Sequence, residues 1–204
     1  MLGMGLHHDE VRHHDHIAFF WEDQKQFRQA VGFLETGLRG HDHCVVFGHA
    51  YANRQVLGIL KRLGFDPSRL KREGRLSVLG PENTGDKTLA QIGGVFQTAV
   101  ERGAPLIRLL GNIGWGKQGW PKKNDIMAFE AKVTGACRQF PSVVVCMYDV
   151  ASLPGDVILK GAFETHPVII RGNVVRVNPC WIPAEEFIAQ LCEGKSRRAS
   201  ARPA

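Results

Sequence analysis

The run Leu106-Ile107-Arg108-Leu109-Leu110-Gly111-Asn112-Ile113-Gly114-Trp115 decides the fold class of this chain. It is largely apolar and shorter than an ordinary helix, the pattern of a strand buried on both faces. A second such run, Val143-Val144-Val145-Cys146-Met147-Tyr148-Asp149, follows a helical stretch that holds Phe129 and Glu130. His166-Pro167-Val168-Ile169-Ile170 closes the region. Two buried strands joined through a helix run parallel, and in an open α/β sheet ligands bind just beyond the carboxyl ends of such strands. Asn112, Trp115, Tyr148 and Asp149 are therefore expected to line one crevice.

The same alternation extends toward the N-terminus. His16-Ile17-Ala18-Phe19-Phe20-Trp21 reads as a first strand. Glu22 and Asp23 open a helix to about Leu38, and acidic residues suit its first turn. Its apolar positions Phe27, Val31, Leu34 and Leu38 keep helical spacing. Strands follow at 44–48 and 76–79, and helices at 54–63 and 88–102. After the strand at 106–113 come a helix at 125–140 and a strand at 143–148. A short helix at 156–163 leads into two β-branched runs joined by Gly172-Asn173, the signature of a hairpin. Pro183 starts a last amphipathic helix through Leu191. The pattern predicts a single three-layer α/β domain, with helices on both faces of a mainly parallel sheet and a C-terminal antiparallel hairpin. That domain spans 14–192, after a flexible His-rich leader (1–13) and before a disordered basic tail (193–204).

The 204 residues suffice for one sizeable core, and 44% hydrophobic with 23% charged residues is ordinary for a soluble globular protein. No apolar run reaches the roughly 20 residues of a membrane helix, and the N-terminus has no signal-peptide h-region, so a cytoplasmic location is expected. The net charge of +6 gathers in the tail, at Lys195, Arg197, Arg198 and Arg202, and in a cluster of Lys61, Arg62, Arg69, Lys71, Arg72 and Arg75. Solvated basic faces explain this, and no nucleic-acid-binding signature accompanies them. The five cysteines lack Cys-x-x-Cys spacing, which argues against a disulfide framework or a zinc ribbon.

No motif supplies a catalytic machine. The loop Gly80-Pro81-Glu82-Asn83-Thr84-Gly85-Asp86-Lys87-Thr88 sits between a strand and a helix, as a phosphate loop would. Asp86 separates Gly85 from Lys87 and places a negative charge where the anion would sit, so Thr84 or Asp86 reads as a helix cap. His7, His8, His13 and His14, and the group His41-Asp42-His43-Cys44, lack the ligand spacing of a structural zinc site. There is no Gly-x-Ser-x-Gly elbow. Cys146 has apolar flanks and reads as an inert thiol. His166 would shape the turn into the hairpin or pair with Asp149. Trp115-Gly116-Lys117-Gln118-Gly119-Trp120 reads as a loop able to close over a pocket.

The order of these elements resembles the MEDS family, the methanogen/methylotroph DcmR-type sensory domain. The resemblance rests on His16-Ile17-Ala18-Phe19-Phe20, Phe33-Leu34-Glu35-Thr36-Gly37-Leu38, Arg108 to Trp115, Phe129-Glu130, Val145 to Asp149 and His166-Pro167. It covers roughly residues 14–190 and implies a degenerate relative of KaiC-like RecA-type ATPases. It also implies a module that senses small organic molecules and signals to transcriptional or kinase partners. Many relatives carry a cysteine where this chain has Ala18, and a sulfur or acid group where it has Gly114. Where a RecA-type ATPase has its Gly-rich loop, this chain has Trp21-Glu22-Asp23-Gln24-Lys25, whose carboxylates repel a triphosphate.

The expectation is a non-enzymatic sensory module with no cofactor, no metal and no catalytic residue. His16, Asn112, Trp115, Tyr148, Asp149 and His166 would form its ligand site. A small, largely apolar organic ligand and a separate regulator or kinase would be its partners, without direct nucleic-acid or membrane contact, and oligomerisation is left open. The alternatives are a divergent ATPase using Lys87, Thr88 and Asp149, and a DNA-associated factor using the basic tail.

Overall fold

The computed structural model describes residues 11–200, with side chains to residue 193. His7, His8 and residues 201–204 lie outside the described residues. A seven-stranded sheet carries the order β3-β2-β4-β5-β1-β6-β7. Its strands are β1 (His16–Trp21), β2 (His43–Gly48), β3 (Leu76–Leu79), β4 (Ile107–Asn112), β5 (Ser142–Asp149), β6 (Val168–Arg171) and β7 (Val174–Val177). The sheet is parallel through β6, which pairs parallel with β1; β7 alone runs antiparallel, so the hairpin contributes one antiparallel edge.

Strand alternation splits the core into two layers. Ile17, Phe19, Cys44, Val46, Val143, Val145 and Met147 pack beneath helices α1 (Gln24–Arg39), α2 (Ala50–Arg62) and α3 (Pro67–Arg72). Their neighbours Ala18, Phe20, Val45, Phe47, Val144, Cys146 and Tyr148 face α4 (Gly85–Glu101), α5 (Lys123–Cys137), a π-helical turn (Val157–Phe163) and α6 (Ala184–Ser200). Because side chains alternate with a period of two, each central strand serves both layers, which is why these strands read as continuous apolar runs.

Local chemistry sets the boundaries. Asp23 caps α1 by accepting from Gln26 N at 2.8 Å, and Thr84 caps α4 by accepting from Lys87 N at 3.2 Å. The stretch that looked like a phosphate loop is thus a capped strand-to-helix turn. Helix α3 escapes the periodicity because it is one short, mostly charged segment that buries only Pro67 and Leu70. It carries Arg69, Lys71 and Arg72 of the basic cluster, while Arg75 donates to the Leu38 carbonyl at 3.0 Å and helps close the end of α1. Helix α6 continues to Ser200, beyond the Leu191 where its apolar spacing ends. Val11, from the expected leader, packs into the α1-side core.

Candidate functional site

The six residues expected at one site divide between two places. Asn112, Trp115 and Asp149 line a crevice of about 340 Å³ beyond the carboxyl ends of β1, β4 and β5. Tyr148 does not join them. It lies one residue from Asp149, and alternation turns it to the opposite face, where it is fully buried. His16 and His166 lie on that same α5 face, also fully buried. Of the two readings of His166, as shaping the turn into the hairpin or as pairing with Asp149, the second is not met: its Nε2 lies 3.4 Å from Glu130 Oε2.

The crevice has aromatic walls and polar inserts. Trp21 meets Phe27 edge to face, with ring centroids 5.2 Å apart, and both line the space. His49, the cap of α2, stacks on Tyr51 at the rim. Partial burial and the nearby Lys117 hold His49 below its ordinary pKa. The indole Nε1 groups of Trp21 and Trp115 are buried with no hydrogen-bond partner among the described residues. In the segment expected as a lid, the two tryptophans pack inward and residues 116–119 between them are exposed. Trp115 is 8% exposed, and the ring of Trp120 occupies the space where a side chain at Gly114 would start. Any residue larger than glycine at 114 would displace Trp120 from Phe47, whose ring lies 5.6 Å away.

The second place is a buried polar cluster. His16 from β1, Glu130 from α5, Cys146 from β5 and His166, after the π-helical turn, bring one donor atom each within 4.8 Å of one another. Glu130 Oε2 lies 3.4 Å from His16 Nε2 and 3.4 Å from His166 Nε2. Cys146 Sγ lies 3.5 Å from His16 Nε2. Neither carboxylate oxygen of Glu130 has a hydrogen-bond partner among the described residues, and His166 Nε2 has none. Burial pushes the Glu130 carboxyl up to about 8 and the His166 imidazole down to about 3. It also lowers His16 and raises the Cys146 thiol and the Tyr148 phenol.

Surrounding hydrogen bonds orient the rings. Thr165 donates its hydroxyl proton to the Gly161 carbonyl at 2.6 Å, so His166 Nδ1–H donates to the Ala162 carbonyl at 3.0 Å. Thr134 donates to the Thr165 carbonyl at 3.4 Å and accepts from His16 Nδ1–H at 3.0 Å. Assigned in this way, both Nε2 atoms carry lone pairs toward Glu130. Tyr148 anchors the adjoining π-helical turn by donating to the Gly161 carbonyl at 2.6 Å. Gly161 also touches Trp115, because a Cβ there would sit 2.9 Å from the indole. Trp115 therefore stands between the crevice and the cluster.

Glu130 was absent from the expected site, and Cys146 entered it only as an inert thiol. The one signal for Glu130 was a carboxylate in the apolar company of Phe129, Ala131 and Val133, since an ionisable group on a buried helix face needs a partner.

The site thus stands on an open α/β sheet with a crevice at the ends of its strands. The family model MEDS, the methanogen/methylotroph, DcmR sensory domain, matches residues 15–167, and the chain belongs to that family. Curated proteins give no match. Among solved structures, the fold is similar to that of an uncharacterized protein from Pyrococcus horikoshii, crystallised in complex with an unknown peptide. That match has a TM-score of 0.60 at 11% identity, and covers 82% of this chain and 93% of that one.

Proposed function

We propose that this protein is a non-enzymatic sensory module that binds a small, largely apolar organic molecule in the crevice at the carboxyl ends of β1, β4 and β5. The observation that carries this reading is the crevice itself. Its volume of about 340 Å³ falls at the small end of the roughly 300–1,000 Å³ typical of small-molecule pockets. Trp21 and Trp115 supply apolar surface, and Asn112 and Asp149 supply polar anchors. His16, Tyr148 and His166 do not line this crevice. Binding shifts the population of the 114–121 segment, and a regulator or kinase partner reads that shift.

A thermal-shift screen of small organic compounds tests the reading. A true ligand at about 100 times its Kd stabilises by about 2.7 kcal/mol, and Trp115→Ala abolishes the shift. A panel without any shift, or a Trp115→Ala variant that binds as the wild type does, overturns the site.

The hydrolase alternative finds no support in the helix termini. A helix N-terminus binds phosphate through free backbone amides, and Asp23 and Thr84 engage those of α1 and α4. ATP with magnesium is expected not to bind. Binding that vanishes in Lys87→Ala would restore the nucleotide reading. Among the described residues no helix is long and apolar enough to cross a membrane.

A further inference from the structure

We infer that His16, Glu130, Cys146 and His166 form a closed four-ligand site for a divalent transition ion of the zinc type. Three electron-pair donors, two imidazole Nε2 atoms and a carboxylate oxygen, converge on one dry spot beside a thiol. Electron-pair donors facing one another repel unless a metal ion or a proton lies between them, and a buried polar group without a partner costs about 1–3 kcal/mol. Glu130 leaves both oxygens, and His166 its Nε2, in that condition.

The geometry is close to what zinc requires. Bonds of about 2.0–2.3 Å in a tetrahedron place the ligand atoms roughly 3.3–3.8 Å apart. Three of the contacts, at 3.4, 3.4 and 3.5 Å, already lie in that range. The widest separation, 4.8 Å or less, closes with a shift of about 1 Å. Charge balances as well, because one thiolate and one carboxylate neutralise a dication and the two imidazoles bind as neutral rings. The ion takes the place of the Cys146 thiol proton and of the proton that burial keeps on the Glu130 carboxyl, and both leave to solvent. Imidazole with sulfur selects zinc-like ions over calcium or magnesium, which need oxygen ligands. The Nδ1–H bonds to Thr134 and to the Ala162 carbonyl hold the rings in the tautomer that metal-bound histidine uses.

The four ligands come from β1, α5, β5 and the segment between the π-helical turn and β6, so the ion staples the sheet to the elements that cover it. With four protein ligands it leaves no open position for a reacting water, which makes the site structural rather than catalytic.

The test uses the full chain purified from zinc-supplemented medium. About one zinc per chain is expected by elemental analysis, and chelation should lower Tm by at least about 5 °C. Cobalt added to the stripped protein should give a thiolate-to-metal charge-transfer band that Cys146→Ser removes. The band should persist in a variant with His7→Ala, His8→Ala, His13→Ala and His14→Ala, which separates the buried site from the N-terminal histidines. Wild-type protein that gives no cobalt band, and whose Tm ignores both zinc and chelator, would overturn the inference. The same holds if Cys146→Ser and Glu130→Gln bind the metal as the wild type does. The cluster would then be held by a proton on Glu130. None of these readouts depends on occupancy of the crevice.

Discussion

The crevice and the buried cluster share strand β5 and differ by one residue in phase. Met147 and Asp149 serve the first, and Cys146 and Tyr148 serve the second. The crevice is open at the strand ends, with His49 and Tyr51 at its rim. In the cluster, water is excluded, so every donor and acceptor must be matched by protein or by an ion. Open polar groups at strand ends suit reversible recognition of a ligand. Dry, convergent groups suit a permanent occupant. The two regions meet where Trp115 touches Gly161 and faces the ring of Tyr148, with ring centroids 6.5 Å apart.

This contrast can be broken or sharpened by experiment. The largest effect is expected from Tyr148→Ala, which empties a fully buried aromatic site on the cluster side. It should cost about 3–5 kcal/mol in chemical denaturation. A loss below about 1 kcal/mol would show that this face is not tightly packed. Gly161→Ala comes next, because its new Cβ would lie 2.9 Å from the Trp115 ring. It should destabilise by about 1–3 kcal/mol and quench or shift Trp115 fluorescence, which reports on the link between the regions. Tyr148→Phe removes only the hydrogen bond to the Gly161 carbonyl, which still accepts from Thr165. About 1 kcal/mol is expected, and a much larger loss would mean that the phenol also supports Glu130. Asn112→Ala, on the crevice side, should change stability by about 0.5 kcal/mol or less while weakening any ligand found in the thermal-shift screen.

The smallest effect lies away from both regions and provides a control for pH work. His43 Nδ1–H donates to the Gly74 carbonyl (2.8 Å), its Nε2 accepts from the Ser77 hydroxyl (3.1 Å), and burial holds its pKa below the ordinary 6.5. The unfolded chain therefore takes up a proton that the folded chain refuses. Stability is lost as pH falls below about 6.5, and His43→Gln should flatten that slope in denaturation at graded pH. An unchanged slope would assign the acid sensitivity to other groups.

Most of the fold was legible because apolar runs and helical periodicity are local properties. The strand at 76–79 and the turn at Gly172-Asn173 stand where their patterns put them. The missed helix α3 has too little buried surface to leave a periodic trace. In the segment expected to close over the pocket, Gly114 is small so that Trp120 can pack against the backbone, which glycine content alone does not reveal. The site was half legible. Strand ends at Asn112, Trp115 and Asp149 follow from topology, but the facing direction of Tyr148 depends on strand phase relative to both helical layers.

The amino-acid sequence by itself determined the alternation of strands and helices and the two-sided burial of the central strands. Those features depend on neighbours a few positions apart. The convergence of residues 16, 130, 146 and 166 was decided only by tertiary structure. Parallel pairing of β1 with β5 sets Ala18 beside Cys146 and so places His16 on the same face, and α5 then lays Glu130 across them. No local pattern encodes that meeting, because its ligands are brought together by strand register and helix packing rather than by spacing along the chain.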